Sequence, residues 1–342
     1  MPATRIMIPR APAQTQATQW QRAWARAIRD PHQLLLRLKL DPELLEGIER
    51  GHKLFRVRVP ESYLARIQPG NPRDPLLLQV LPQAAEAQEQ PAFVRDPVGD
   101  AAAMVAPGLL HKYPHRVLLV TTGACAIHCR YCFRREFPYG AFSGKRDWQP
   151  AMDYIRRHRE ISEVILSGGD PLALPDATLS ELQSLLQRIP HLQRLRIHTR
   201  LPVVLPERVD DELLSWLGKG RLQQALVLHA NHPREYDSPA EEALGRLRDS
   251  GVTLLNQSVL LAGVNDDLNV LCELQERGFR AAGILPYYLH VLDRVRGAAH
   301  FEVDEVRARQ LHAGLRSRLP GYLVPRLVRE ISGADCKVPL VV

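Results

Sequence analysis

Arg116-Val-Leu-Leu-Val-Thr-Thr-Gly-Ala-Cys125-Ala-Ile-His-Cys129-Arg-Tyr-Cys132 is the stretch on which the reading of the fold turns. Its first seven residues are a short apolar run of the kind that forms a fully buried strand. Three cysteines follow directly, spaced C-x3-C-x2-C, in what must be a loop. Similar apolar runs recur at 163–167, 195–199, 225–229, 253–261 and 281–289. Helical patterns lie between them, at 148–159, 177–188, 210–217, 239–250 and 268–277. Strand–helix alternation with short connections predicts a parallel sheet with right-handed crossovers. Six such units predict an α/β fold, a partial (βα)6 TIM-like barrel open on one side. Ligand-binding residues of such sheets collect at the C-terminal ends of the strands, and the cysteine loop sits at one.

Outward from that core, residues 1–108 read as a mostly helical region. Trp20, Trp24, Ile28, Leu34, Leu35 and Leu38 recur there at helical spacing. Residues 68–100 are rich in Pro, Gln and Asp, with one apolar run at 76–81 that reads equally as a strand or an interface segment. The barrel is expected over 109–301, and a C-terminal segment over 302–342. At 342 residues the chain is long enough for about two domains or one large barrel with additions. With 45% apolar and 24% charged residues it has an ordinary globular composition.

No apolar run approaches the ~20 residues of a membrane span. The first thirty residues carry Arg and no acid before Asp30, a faint likeness to a transit peptide, but lack the apolar core of a secretory signal. A cytoplasmic enzyme is expected. The net charge of +7 is spread among acids along helices, with no run of five basic residues, so a solvated surface is expected rather than nucleic-acid binding. Only six of the 45 basic residues are Lys, which draws attention to each lysine.

Five cysteines, three of them within eight residues, are not a disulfide framework; they point to a reduced compartment and a metal site. Three thiolates suit a [4Fe–4S] cluster with one iron left open to a ligand. The alternative is zinc with His128, Cys272 or Cys336 as a fourth ligand, although structural zinc sites more often use two C-x2-C pairs.

At this point the sequence resembles a known family. C-x3-C-x2-C with an aromatic before the last cysteine (Tyr131) resembles the radical SAM motif, and that superfamily is built on partial (βα)6 barrels. With Ser167-Gly168-Gly169-Asp170-Pro-Leu172, Asn256-Gln257-Ser-Val-Leu260 and Cys132-Phe-Arg134-Arg135, residues 90–340 resemble lysine 2,3-aminomutases. The resemblance implies a [4Fe–4S] cluster on Cys125, Cys129 and Cys132. It implies S-adenosylmethionine near Tyr131, Ser167, Gly168, Gly169, Asp170, His229 and Gln257. It implies pyridoxal 5′-phosphate on Lys337, in Ile331-Ser-Gly-Ala-Asp-Cys-Lys337-Val-Pro339, with contacts from Lys112, Tyr113, Arg116 and Asn256. An amino group that migrates needs a carbonyl cofactor, and such a cofactor needs an amine to hold it.

For the substrate L-lysine the resemblance implies Arg134 on the carboxylate, and Asp293 and Glu330 on the distal ammonium. Glu330 stands where the lysine enzymes commonly carry Asp, and His290 where a Tyr is usual. A different acid pattern would mark an aminomutase for glutamate or arginine. The chain stops five residues after Lys337, without the further cysteines that hold zinc in the catabolic enzymes, so no zinc is expected. This short form, with its segment 291–301, resembles the branch that makes β-lysine for elongation factor P. That implies a functional link to the factor and its lysyl ligase, a flavodoxin- or ferredoxin-type electron donor, and a homo-oligomer.

Overall fold

The structure is a computed structural model that describes residues 17–142 and 147–340. Most of the Arg-bearing stretch weighed as a leader lies outside the described residues. Ten strands form one sheet in chain order: β1 (Met104–Ala106), β2 (Leu109–Tyr113), β3 (Arg116–Thr122), β4 (Glu163–Gly168), β5 (Arg194–Thr199), β6 (Gln223–His229), β7 (Thr253–Val259), β8 (Leu285–His290), β9 (Arg326–Arg329) and β10 (Val338–Pro339). Strands β3 to β8 pair in parallel, each with its successor, as the six expected units require. Strand β1 does not pair with β10, so the barrel stays open.

The sheet is wider than the apolar runs predict. The β1–β2 hairpin adds antiparallel strands beside β3. The helix Glu305–Arg318 returns the chain to β9, a seventh parallel strand beside β8, and β10 folds back on it. Strand β9 has an arginine at each end and only four residues, too short and too charged to read as a buried run. The expected strand at 281–289 begins later. The helix Leu268–Ala282 continues until Gly283, whose φ of +65° supplies the left-handed cap that ends it. The run at 76–81 is neither strand nor surface segment. Asp74 accepts hydrogen bonds from the Leu76 and Leu77 N–H groups, starting the helical turn Pro75–Leu78, and both leucines are fully buried.

Aspartates set the helix starts. Asp210, Asp237, Asp267 and Asp304 each accept a backbone N–H of the turn that follows, satisfying donors a helix leaves free. Strand β4 is buried on both faces, from Glu163 to Ser167, whereas β5 and β7 alternate buried with half-buried residues. The register aligns their C-terminal ends: Thr122 faces Gly168, Thr199 faces Leu228, His229 faces Gln257 and Gln257 faces Tyr288.

At that rim β4 presses against the cysteine loop. The Gly169 N–H donates to Thr122 O at 2.6 Å, and the Asp170 N–H to Ala124 O at 2.8 Å. A Cβ on Gly169 would lie 2.4 Å from Ala124 O, and one on Gly168, at φ +125°, 2.5 Å from Thr122 O. Only glycine fits. By contrast, a Cβ on Gly245, in the helix Ser238–Asp249, meets nothing within 4 Å. Thermal denaturation therefore distinguishes the two. Gly169→Ala destabilises by about 1–3 kcal/mol through overpacking, whereas Gly245→Ala is neutral or stabilises by up to about 1 kcal/mol.

Candidate active site

One cavity of about 1820 Å³, its open mouth included, runs from the cysteine loop to the C-terminal strands. Every residue that the family resemblance assigns to the cluster, the cofactors or the substrate lines it except Asn256. Asn256 is buried in β7 and spans β6 instead, accepting from the Ala230 N–H and donating to the Ala230 carbonyl.

At one end lie Cys125, Cys129 and Cys132. Burial pushes the Cys132 thiol up to about 11 and the Cys125 thiol well above its ordinary value; each feels the charge of its neighbours. Three crowded sulfurs shut from water favour a cationic metal centre that takes them as thiolates. The distal zinc ligands weighed above are not assembled with them. Cys272 packs beside the core of Leu260, Leu271 and Leu311, Cys336 is exposed, and neither lines the cavity. The His128 ring stacks on Phe55 with its Nδ1 on the Arg56 carbonyl.

The cysteine loop is gripped from the N-terminal region. The His128 N–H donates to Arg58 O, the Arg130 N–H to Gln79 O, and the Arg58 guanidinium to Cys125 O. Beneath them one buried carboxylate, Glu86, takes Arg130 at 2.9 and 2.5 Å and Arg135 at 2.6 Å. Arg130 is wholly buried and also donates to the Phe55 and Gly51 carbonyls.

Beside the sulfurs, Asp170 is consumed by the scaffold. It accepts from Leu172 N, Thr199 Oγ1, Arg200 N and Leu201 N, tying the end of β4 to that of β5. Burial pushes its carboxyl up to about 6 against those bonds. Tyr131 stacks on His229, and its hydroxyl meets His229 Nε2 at 3.0 Å. Burial, then Arg200, brings His229 down to about 3, so the ring is neutral. Gln257 points a polar side chain into the same wall from β7.

The other end is built on Lys337, just before β10. Its Nζ is 2.5 Å from Glu330 Oε2, at the end of β9, and lies over the Tyr288 ring. The Tyr113 hydroxyl donates to the other Glu330 oxygen. Tyr113 and Arg116 come from the β2–β3 turn, at the far end of β3 from the thiols, and Arg116 lies over the Tyr113 ring. Burial opposes the Glu330 charge, but Lys337, Tyr113 and Lys112 hold its carboxyl below the usual range.

A line of alternating charge joins the two ends. Arg134 Nε is 2.7 Å from Asp100 Oδ2, and Arg134 also donates to Ser167 Oγ at 2.9 Å. Asp100 Oδ1 is 2.6 Å from Lys112 Nζ, Lys112 is 3.9 Å from Glu330, and Glu330 meets Lys337. Asp293 lies beside this line with no side-chain partner among the described residues. Burial pushes it up to about 7, Lys337 opposing and Glu330 adding to the rise.

The sequence overlooked Asp100, Arg196, His198 and Arg200. Asp100 is 2% exposed and follows a Pro-rich stretch that gives no spacing signal. His198 and Arg200 end β5 and its loop, where the strand-end rule would have found them. Burial, then Arg196 and Lys337, lowers the His198 pKa.

The chain matches the model of the Radical SAM superfamily over residues 119–274. The L-lysine 2,3-aminomutase of Haemophilus influenzae is 48% identical over 97% of this chain and 98% of that protein. That of Escherichia coli is 49% identical over 94% of each. That of Clostridium subterminale is 37% identical over 89% of this chain and 73% of its own length. The chain belongs to the lysine 2,3-aminomutase family. It is thus a radical SAM isomerase, of a family whose cofactors are a [4Fe–4S] cluster, S-adenosylmethionine and pyridoxal phosphate. The donors fit that set: three clustered sulfurs at one end, one amine among aromatic rings at the other, and room between them.

Removing Glu86 strands two buried guanidinium groups. Glu86→Gln is expected to lose about 3–5 kcal/mol of stability in urea denaturation. Its reconstituted protein is also expected to yield iron to a chelator faster than wild type. Unchanged stability and iron release would show the clamp to be idle.

Proposed function

We propose that this chain converts L-lysine to β-lysine by moving the amino group from C2 to C3. The observation that carries the reading is the acid pair Asp293 and Glu330 beside Lys337, with Arg134 toward the thiol end, in a member of this family. A substrate with a carboxylate at one end and an ammonium at the other matches that order of charge. A glutamate substrate would set its second carboxylate against two acids; lysine does not.

When bound, the cofactors supply a 5′-deoxyadenosyl radical at the cluster end and a conjugated ring that carries the amino group during its shift. The residues do the rest. Cys125, Cys129 and Cys132 hold the cluster and leave one iron open. The Gly168–Gly169 approach keeps that loop against the strand rim, where Ser167 and Gln257 line the space for S-adenosylmethionine. Lys337 would hold the pyridoxal phosphate through Nζ, and Glu330 stands beside that nitrogen to accept its hydrogen bond when it is an ammonium. Arg116 and Tyr113 flank the cofactor. Arg134, already fixed by Asp100 and Ser167, presents its remaining donors to the substrate carboxylate in a planar fork. Burial excludes water, which would quench a radical. A misplacement of ~1 Å between the two ends would lower the rate about a hundredfold.

We infer further that the β-lysine serves modification of elongation factor P, through a separate lysyl ligase. The segment 291–301 supports this, as does near full-length coverage of the Haemophilus influenzae and Escherichia coli relatives. The enzyme then works in the cytoplasm as a homo-oligomer and takes electrons from a flavodoxin- or ferredoxin-type donor. Among the described residues no helix is long and apolar enough to cross a membrane.

The test is anaerobic reconstitution with iron, sulfide and pyridoxal phosphate, then chiral separation of products. β-Lysine appears only with S-adenosylmethionine, and Lys337→Ala gives none; a fully loaded enzyme that makes none refutes the lysine assignment. The acid pair adds a pH signature. Asp293 titrates near 7 and must be ionised to hold an ammonium, which itself stays charged to ~10.4. The apparent KM for lysine is therefore about tenfold higher at pH 6 than at pH 8. Asp293→Asn raises KM and flattens that dependence. A wild-type KM that does not change over this range contradicts the role of Asp293.

A further inference from the structure

Behind the cysteine loop lies a buried polar cluster that the reading above does not use. Arg200, at the end of β5, is 7% exposed. Its Nη1 is 2.7 Å from Cys129 Sγ and 2.7 Å from the Tyr131 hydroxyl. Its Nη2 donates to Gln79 Oε1 at 2.7 Å and to Glu235 Oε2 at 2.8 Å. Glu235 is wholly buried and accepts on its other oxygen from the Asn231 and His232 N–H groups and from Gln79 Nε2. Tyr131 is held in turn by Asn231 Nδ2 at 2.7 Å.

This is a built charge relay with one outlet. A guanidinium cannot lose its proton under ordinary conditions. It is pinned on one side by a carboxylate that is itself pinned by backbone, and its free side ends on one sulfur of the C-x3-C-x2-C loop. The other two sulfurs have no such donor on their side chains among the described residues. Hydrogen bonds to ligand sulfurs, net charge and burial set the potential of an iron–sulfur centre. A cation that donates to a ligand sulfur favours the state with one more electron, and a carboxylate behind it subtracts from that effect.

We propose that Arg200 is a positioning residue that raises the reduction potential of the cluster through Cys129, and that Glu235 sets how much of its charge is felt. The inference rests on the cluster assignment made above. The electron that converts the cluster from its 2+ to its 1+ state comes from the low-potential donor; Arg200 transfers nothing and changes only the equilibrium. Cys129 is thereby the ligand that meets a side-chain cation directly, whereas Cys132 takes a backbone hydrogen bond from Arg134.

The test is a dithionite titration of the reconstituted holoenzyme without S-adenosylmethionine, followed by electron paramagnetic resonance of the reduced cluster. Arg200→Gln removes the charge and is expected to lower the one-electron reduction constant at least tenfold, a shift of about 59 mV to lower potential. Arg200→Lys, which keeps the charge, falls between it and wild type. Glu235→Gln leaves the arginine uncompensated and moves the potential the other way. Loosened packing would not produce shifts of opposite sign. The glutamate variant keeps Arg200, so it decides the matter even where Arg200→Gln takes up less than a full cluster. Equal potentials in fully loaded variants, or shifts of the same sign, overturn the proposal. Wild-type protein that takes up four irons per chain and gives no such resonance on reduction overturns the cluster assignment instead.

Discussion

The structure depends most on the unbroken line of ion pairs from Arg134 through Asp100 and Lys112 to Glu330 and Lys337. Charges this deep are favourable only when each has an opposite neighbour and its remaining hydrogen-bonding capacity is met. Each charge in the line has an opposite neighbour, and the line draws on four parts of the chain, with Lys112 coming from β2. Asp100 comes from before the sheet, Arg134 from the cysteine loop, and Glu330 and Lys337 from the last strands. Folding must therefore bring the two ends of the cavity to a fixed separation, the one requirement a reaction between two cofactors imposes. Asp100 and Glu330 each lie between two cations and carry lowered pKa values against the pull of burial. Asp293 faces the same site without a partner and carries a raised one. The contrast separates acids already paired with cations of the chain from one that has no side-chain partner among the described residues.

The N-terminal region acquires a reason from the same physics. A loop of three cysteines has little apolar surface of its own with which to settle. Here it is held by backbone hydrogen bonds to Arg58 and Gln79 and by the Glu86 clamp, while the barrel supplies the glycine contact at the strand rim and the Arg200, His229 and Asn231 contacts to Cys129 and Tyr131. Gln79 serves twice, carrying the loop on its carbonyl and Arg200 on its side chain. The region is thus a second wall of the metal site rather than an appendage.

The barrel was legible because buried parallel strands are apolar runs whose ends carry the chemistry, and six such runs appear in order. The cysteines stood out by their spacing and Lys337 by the family resemblance of its C-terminal segment, and the structure places all four on one cavity. What stayed hidden is long-range pairing. Nothing near Asp100 or Glu86 in sequence announces that an arginine dozens of residues away requires it. The four residues of β9 are too short to show a period. Asn256 misled for a related reason: a buried strand-end amide needs partners, and a neighbouring backbone satisfies it as well as a cofactor does.

If both ends of the cavity act on one substrate, hydrogen must pass between them. The most direct measurement supplies lysine deuterated at C3 with S-adenosylmethionine under reducing conditions, then reads the adenosyl 5′ position by mass spectrometry. Deuterium is predicted to appear there within the first few turnovers, to reach a plateau set by the bound S-adenosylmethionine, and to appear also at C2 of the β-lysine. An adenosyl group that stays unlabelled, in protein holding both cofactors and turning over lysine, would contradict the account.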